Sequence, residues 1–385
     1  MRILATCSLG GAGHWLPLST VLRGAEQRGD ELVVLGPPAL REMVEHSGFA
    51  FTTGGEPSEA EVAPIRERLP TASTEEASVL GNRDLFGRLA ATAMLPSVSA
   101  ICAEWKPDLV LRDPCEYASA VIAGNLGIPS AHVAISLAEV EWASLTAASP
   151  ALEEHRHGLT AEIAATPYLS RFPETIDPSP FATTVRYRRE TPPRIEQLPD
   201  WWRASTAPLV YVTLGTVLPH MSFAEEQYRL LLAALADVRA RVLVTVGRFF
   251  DPERLGPLPP NVHVERWVDH DRVLAVADVV VCHGGSGTVF GALDAGVPLV
   301  VVPSFADQFA NGELVTRHRL GEVIGAMPAE GQDGRRAPSE QDLPLISAAI
   351  QAVLVDASYR DRVRSLSRGS AELPSPTEVL TRLAG

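Results

Sequence analysis

A histidine and a run of small residues, His283-Gly284-Gly285-Ser286-Gly287-Thr288, stand directly behind the apolar stretch Val279 to Cys282. That order of residue types suits an anion. Glycines remove the Cβ atoms that would hold a phosphate off the backbone, Ser286 and Thr288 add hydroxyl donors, and a helix starting there supplies N–H groups without helical partners. The stretch reads as a diphosphate cradle with His283 beside it. Two other readings stay open at this point. One is a tight strand-to-helix turn that binds nothing. The other is a nicotinamide dinucleotide site, because Gly285 to Gly291 spells GxGxxxG and Asp307 falls 20 residues beyond Gly287, near where a ribose-binding acid is expected. Against the dinucleotide, Asp307 stands four residues past Pro303 and not at a strand end. Gln308 follows it, and an Asp-Gln pair suits several hydroxyls of a sugar.

A second set of chemistry-bearing residues opens the chain. Gly10, Gly11, Gly13 and His14 follow the first apolar run, in the same topological place as the His283 stretch. A neutral imidazole there can take a proton from a hydroxyl near neutral pH, and it works better with a carboxylate to orient it. Asp113, which ends the strand-like "LVLRD", is placed to do so. Taken singly, His14 is equally a packing or capping histidine and Asp113 a turn residue before Pro114. The "DHD" at 269 to 271 imitates a metal-binding D-x-D, but its place before "DRVLAVAD" makes it a helix cap, so no metal is expected. Glu153, Glu154, His155 and His157 read as a solvated charged face. Trp267 follows a strand and suits either base stacking or the core; Trp15 and Trp142 are candidate aromatic walls of a pocket.

These residues need strand ends to hold them. Short apolar runs alternate with helical patterns in both halves, which indicates βαβ units and parallel sheets. At 385 residues the chain is long for one core and suits two domains. The Arg- and Pro-rich stretch from 185 to 203 reads as a tether, which sets the domains at 1–195 and 196–385, with a last helix from about 374 that packs back on the first. Residues 52–100 and 136–184 interrupt the rhythm and are expected to line a ligand site. Charged groups sum to 33 − 47 = −14, which opposes nucleic acid and anionic lipid as partners. No stretch reads as a membrane span or export signal, and Cys7, Cys102, Cys115 and Cys282, with no C-x-x-C pair, read as reduced core thiols. The expected setting is the cytoplasm. A homodimer is left open.

Four stretches carry a resemblance over nearly the whole chain: "HGGSGTVFGALDAGVPLVVVPSFADQFANGELV", "ERWVDH", "YVTLGT" and "GHWLPL". Together they resemble the inverting nucleotide-sugar glycosyltransferases of family one, in their bacterial, natural-product-decorating branch. The resemblance implies a glycosyltransferase-B fold: α/β, two Rossmann-like doubly wound domains facing each other across a cleft, with acceptor on the first and donor on the second. It implies His14 as the base and Asp113 as its partner. By the same carry-over Thr216, His283, Gly285, Ser286, Gly287 and Thr288 hold the donor diphosphate, Asp307 and Gln308 its sugar, and Trp267 and Val268 its base. Family members often have alanine after Asn311, where this chain has Gly312.

The activity this implies is transfer of a hexose or deoxyhexose from a dTDP- or UDP-sugar to a hydroxyl, or to a carbon, of a hydrophobic natural product. The anomeric carbon is inverted, and neither cofactor nor metal takes part. The alternatives are a sugar-nucleotide epimerase or a lipid-linked-sugar transferase on the same architecture, or a nucleotide-sugar binder without catalysis.

Overall fold

The computed structural model describes residues 1–9, 11–189, 206–221, 223–248, 250–325 and 338–383. Gly10 and the expected boundary at 195 lie outside them. The chain divides into two compact units, Met1–Glu190 with Glu372–Gly385, and Thr191–Ala371.

In the first unit the apolar runs become seven parallel strands: β1 Arg2–Thr6, β2 Glu31–Gly36, β3 Phe51–Thr53, β4 Leu109–Arg112, β5 Ser130–Val133, β6 Tyr168–Ser170 and β7 Thr184–Arg186. Their order is β3-β2-β1-β4-β5-β6-β7, so chain direction across the sheet reverses between β1 and β4. Both faces are covered, which is why the strands read as continuous apolar runs. Ile3 and Ala5 of β1 face α1, Ala12–Arg28, through Leu18 and Leu22. Leu4 points the other way, to Met94, Val98 and Cys102 of α2, Thr74–Trp105. By length and composition α2 could cross a bilayer; here its Met94, Val98 and Cys102 join the core beside Leu35 and Val110. Within it, Val79–Ala90 winds in the wider i→i+5 manner. Helix α3, Ala138–His155, follows β5.

The expected tether begins too early. Thr184–Arg186 is the seventh strand and Tyr187 is fully buried, because β-branched and aromatic residues there pair with β6 and pack into the core; residues 190–205 lie outside the described ones.

The second unit holds six parallel strands: β8 Leu209–Thr213, β9 Arg241–Thr245, β10 Val262–Glu265, β11 Val279–Cys282, β12 Leu299–Val301 and β13 Gly321–Val323. Their order, β10-β9-β8-β11-β12-β13, has the same reversal, between β8 and β11. Helix α4, Ser286–Asp294, follows β11, and α5, Gln308–Arg317, follows β12. The last helix, α6, Pro376–Leu383, belongs to the first unit: Val379 and Leu380 are buried with α1 in the same core.

Candidate functional site

In open α/β sheets ligands gather beyond the carboxyl ends of the strands where the strand order reverses. The first unit places His14 after β1 and Asp113 after β4, the two strands that flank its reversal. His14 sits in the first turn of α1, entered through Gly11 at φ 60°, a left-handed turn that glycine adopts without strain. Its Nδ1 lies 3.1 Å from Asp113 Oδ1. Asp113 is fully buried and also accepts from the N–H groups of Ser8 (2.5 Å) and Cys115 (2.7 Å). Burial would raise this carboxyl, but the neighbouring His14 and the two backbone donors outweigh it and hold the carboxyl below its ordinary range. An ionised carboxylate only accepts, so Nδ1 must carry the proton and Nε2 presents the lone pair. That is the tautomer a general base needs.

The turn that carries Asp113 is held from beneath. Buried Arg112 donates through one guanidinium nitrogen to the carbonyls of Asp113, Pro114 and Glu116, at 3.1 to 3.2 Å. Buried Glu116, its carboxyl raised by desolvation, accepts from the Ser119 N–H and hydroxyl.

The second unit repeats the placement. The Gly215-Thr216 turn follows β8, and the His283–Thr288 stretch follows β11. The N-cap of α4 is Gly285, which has no side chain to cap the helix, and its first turn is Ser286-Gly287-Thr288. Gly287 is exposed, and a Cβ there would meet nothing within 4 Å, so the helix start is open to a ligand. The other glycines answer to protein atoms. A Cβ on Gly284, at φ 90°, would lie 2.7 Å from Val301 Cγ1, and one on Gly285 would lie 2.4 Å from His283 Nε2. One on Gly215 would lie 2.6 Å from His283 Cε1. The imidazole is thus sandwiched between the two turns. Desolvation lowers it to about 4, against smaller opposing contributions from Asp307 and the Thr213 backbone, so it is neutral near pH 7.

Ser286, a candidate diphosphate ligand, has its hydroxyl engaged within the protein. It donates to Asp307 Oδ2 at 2.7 Å and accepts from Asn311 Nδ2 at 2.9 Å, because both lie at the adjoining start of α5. Its side chain is a tie between loops. Gln308 is buried and its Oε1 accepts from the N–H groups of Ser304 and Phe305. Thr288 is buried in the first turn of α4, whereas Thr216 is exposed. Trp267 and Val268 follow β10, at the sheet's edge; Trp267 is 59% exposed under the Arg248 guanidinium, 5.1 Å from the ring centre, which favours a stacking surface over the core.

Trp15 is no pocket wall. It is fully buried, edge-on to Phe49 at 5.7 Å, with Nε1 donating to Ser47 Oγ. One residue past His14 is about 100° around the helix, which turns Trp15 into the core. Trp142 is 37% exposed and edge-on to Phe181. Asp269 caps the following helix, accepting from the N–H groups of Asp271 and Arg272. His155, read as solvated, lies 2.9 Å from the Gly87 carbonyl through Nε2.

The N-terminal and C-terminal domain models of the erythromycin biosynthesis protein CIII-like family match residues 35–215 and 229–385. An L-demethylnoviosyl transferase of Streptomyces niveus is 30% identical over 100% of this chain and 98% of its own length. The chain belongs to the bacterial natural-product glycosyltransferases. Among solved structures, the glycosyltransferase SnogD of Streptomyces nogalater is 25% identical, with TM-score 0.76 over 100% of this chain and 99% of that one. SsfS6 of Streptomyces sp. SF2575, solved with thymidine diphosphate, shares the fold at 24% identity and TM-score 0.75, over 100% and 99%. Two parallel-sheet α/β units and this likeness over the whole chain to solved glycosyltransferases give the chain the glycosyltransferase-B fold.

In this glycosyltransferase three contributions are invisible to motif reading. Phe86, in the widened turns of α2, stacks on His14 with centroids 5.8 Å apart. Buried Asn311 ties the Gly284 carbonyl to Ser286; its place in the "FADQFAN" run was the only signal. Glu141 in α3 accepts from the N–H groups of Ile135 and Ser136, shaping the loop after β5, next to β4. Desolvation pushes its carboxyl up to about 8.

Proposed function

We propose that this glycosyltransferase moves a hexose or deoxyhexose from a dTDP-sugar to a hydroxyl of a hydrophobic acceptor in one inverting displacement, without a metal ion. The observation that carries the reading is the His14–Asp113 pair, its buried carboxylate fixing the tautomer that leaves Nε2 basic. Nε2 takes the acceptor's proton as its oxygen attacks the anomeric carbon from the face opposite the leaving group; Asp113 stabilises the imidazolium that forms. The departing diphosphate meets the start of α4, with Gly285, Gly287, Thr288 and Thr216 around it and neutral His283 as a hydrogen-bond donor. Helix dipole and uncharged donors answer the developing charge, and Asp269 of the D-x-D at 269 to 271 is committed to capping, which supports a metal-free route. Asp307 and Gln308 face the sugar, Trp267 and Val268 the base, and Trp142 the acceptor. The thymidine diphosphate bound by SsfS6 supports dTDP over UDP.

Ligand-dependent thermal unfolding tests the donor half. At equal excess, dTDP should raise the melting temperature, UDP less so and NAD not at all, since a ligand at 100 times its Kd stabilises the native state by about 2.7 kcal/mol. Stabilisation by NAD alone would return the GxGxxxG stretch to a dinucleotide.

A further inference from the structure

The loop after β4 presents a third side chain that the reaction does not use. Cys115 is half-buried, whereas the chain's other three cysteines are buried, and all four are free thiols. Its sulfur, an Asp113 oxygen and a His14 nitrogen lie within 4.8 Å of one another. We propose that His14, Asp113 and Cys115 form an inhibitory site for a thiophilic divalent cation, Zn²⁺ in the first instance, which silences the enzyme by occupying its base.

The donor set selects the ion. Sulfur, imidazole nitrogen and a single carboxylate oxygen suit Zn²⁺ or Co²⁺ and do not suit Mg²⁺ or Ca²⁺, which want oxygen. Tetrahedral bonds of about 2.0 to 2.3 Å place donor atoms about 3.3 to 3.8 Å apart, so the most widely separated pair needs to close by at most about 1.0 to 1.5 Å. Rotation of the half-buried Cys115 side chain about its Cα–Cβ bond can supply this. Two of the three ligands stand on a turn that Arg112 already pins through three carbonyls, which limits the ordering that binding must impose. On binding, the Cys115 thiol releases its proton to solvent and the sulfur bonds the metal. The imidazole gives a ring nitrogen to the ion, and either nitrogen ends its service as base. The inhibitory consequence rests on His14 being that base, but the site itself does not.

Co²⁺ added to chelator-treated enzyme reads the site directly. The wild type should show a sulfur-to-cobalt charge-transfer band, Cys115→Ser should lose it, and His14→Ala should weaken binding by at least about tenfold. Cys115→Ser should keep basal sugar transfer, and the Zn²⁺ concentration that halves its rate should rise at least about tenfold, with chelator restoring the wild type. Absence of the band in the wild type, or its persistence in Cys115→Ser, overturns the site. Equal Zn²⁺ sensitivity of the two proteins overturns the inhibition. Because the spectrum needs no sugar donor, a band without transferase activity would sink the transferase reading and leave the site standing.

Discussion

The residues that matter most here are those whose charge state the fold dictates. Asp113 is buried yet ionised, since His14 and two backbone N–H groups replace the water it loses. Glu141 shows the opposite outcome, with burial outweighing its two backbone donors and raising its carboxyl from 4.5 to about 8. The sign of the linkage follows. A carboxyl raised in the folded state contributes its full stability below about 4.5, where both states are protonated, and loses it as pH rises through about 8. Glutamine keeps the acceptor for Ile135 and Ser136 and cannot ionise. The melting temperature of Glu141→Gln relative to wild type should therefore climb between pH 5 and pH 8.5, by the equivalent of a few kcal/mol; a difference flat with pH would contradict the burial argument. The His14–Asp113 pairing was legible in the sequence although the two are 99 residues apart, because each follows a strand beside the reversal point. Glu141 was not, since residue type alone gives no sign that a glutamate in a helix's first turn faces inward.

At the scale of elements, both units use the same device, two loops at the carboxyl ends of the first and fourth strands. The alternation of apolar runs and helical periodicity showed the strands and their parallel pairing. What it could not show was which glycines serve a ligand and which serve a neighbour, because that depends on side chains far away in sequence. Gly215 and Gly285 make room for His283, whereas a Cβ on Gly287, like one on Gly11 or Gly13 in the first unit, would meet nothing within 4 Å. Gly215→Ala places a Cβ against the imidazole at a φ of 73°. It should cost about 1–3 kcal/mol in unfolding free energy and weaken dTDP binding measured by calorimetry. At Gly312 a Cβ would meet side-chain methyls alone, Val323 Cγ1 at 3.2 Å with Val323 Cγ2 and Val301 Cγ1 at 3.7 and 3.9 Å, so Gly312→Ala asks for only a small shift of Val323 and should cost less than Gly215→Ala in both measurements. Equal losses in the two variants would show that the His283 sandwich has no special role. The widened turns of α2 that bring Phe86 onto His14 have no composition signature, and reading 52–100 as an interruption of the strand–helix rhythm did not show them.

On the scale of the whole molecule, the chain finishes its first unit last. Gly24 of α1 leaves room for Pro376, Thr377 donates to the Gly24 carbonyl, and Arg188 donates to the Pro374 and Leu373 carbonyls. With Val379 and Leu380 each worth about 1.5–3 kcal/mol of burial, a chain ending at Ala371 should lose stability in the first unit. It should retain the dTDP-dependent stabilisation of the second, and loss of both together would contradict the division. The proposed reaction turns on His14 as its base, so the most direct test of the account is turnover itself. With a dTDP-sugar and a hydroxylated aromatic acceptor, wild-type enzyme should yield a product whose anomeric configuration, read by NMR, is opposite to the donor's. His14→Ala should lose about 10²-fold or more of that rate while still being stabilised by dTDP. A retained anomeric configuration, or wild-type turnover in His14→Ala, would contradict a single displacement driven by the His14–Asp113 pair.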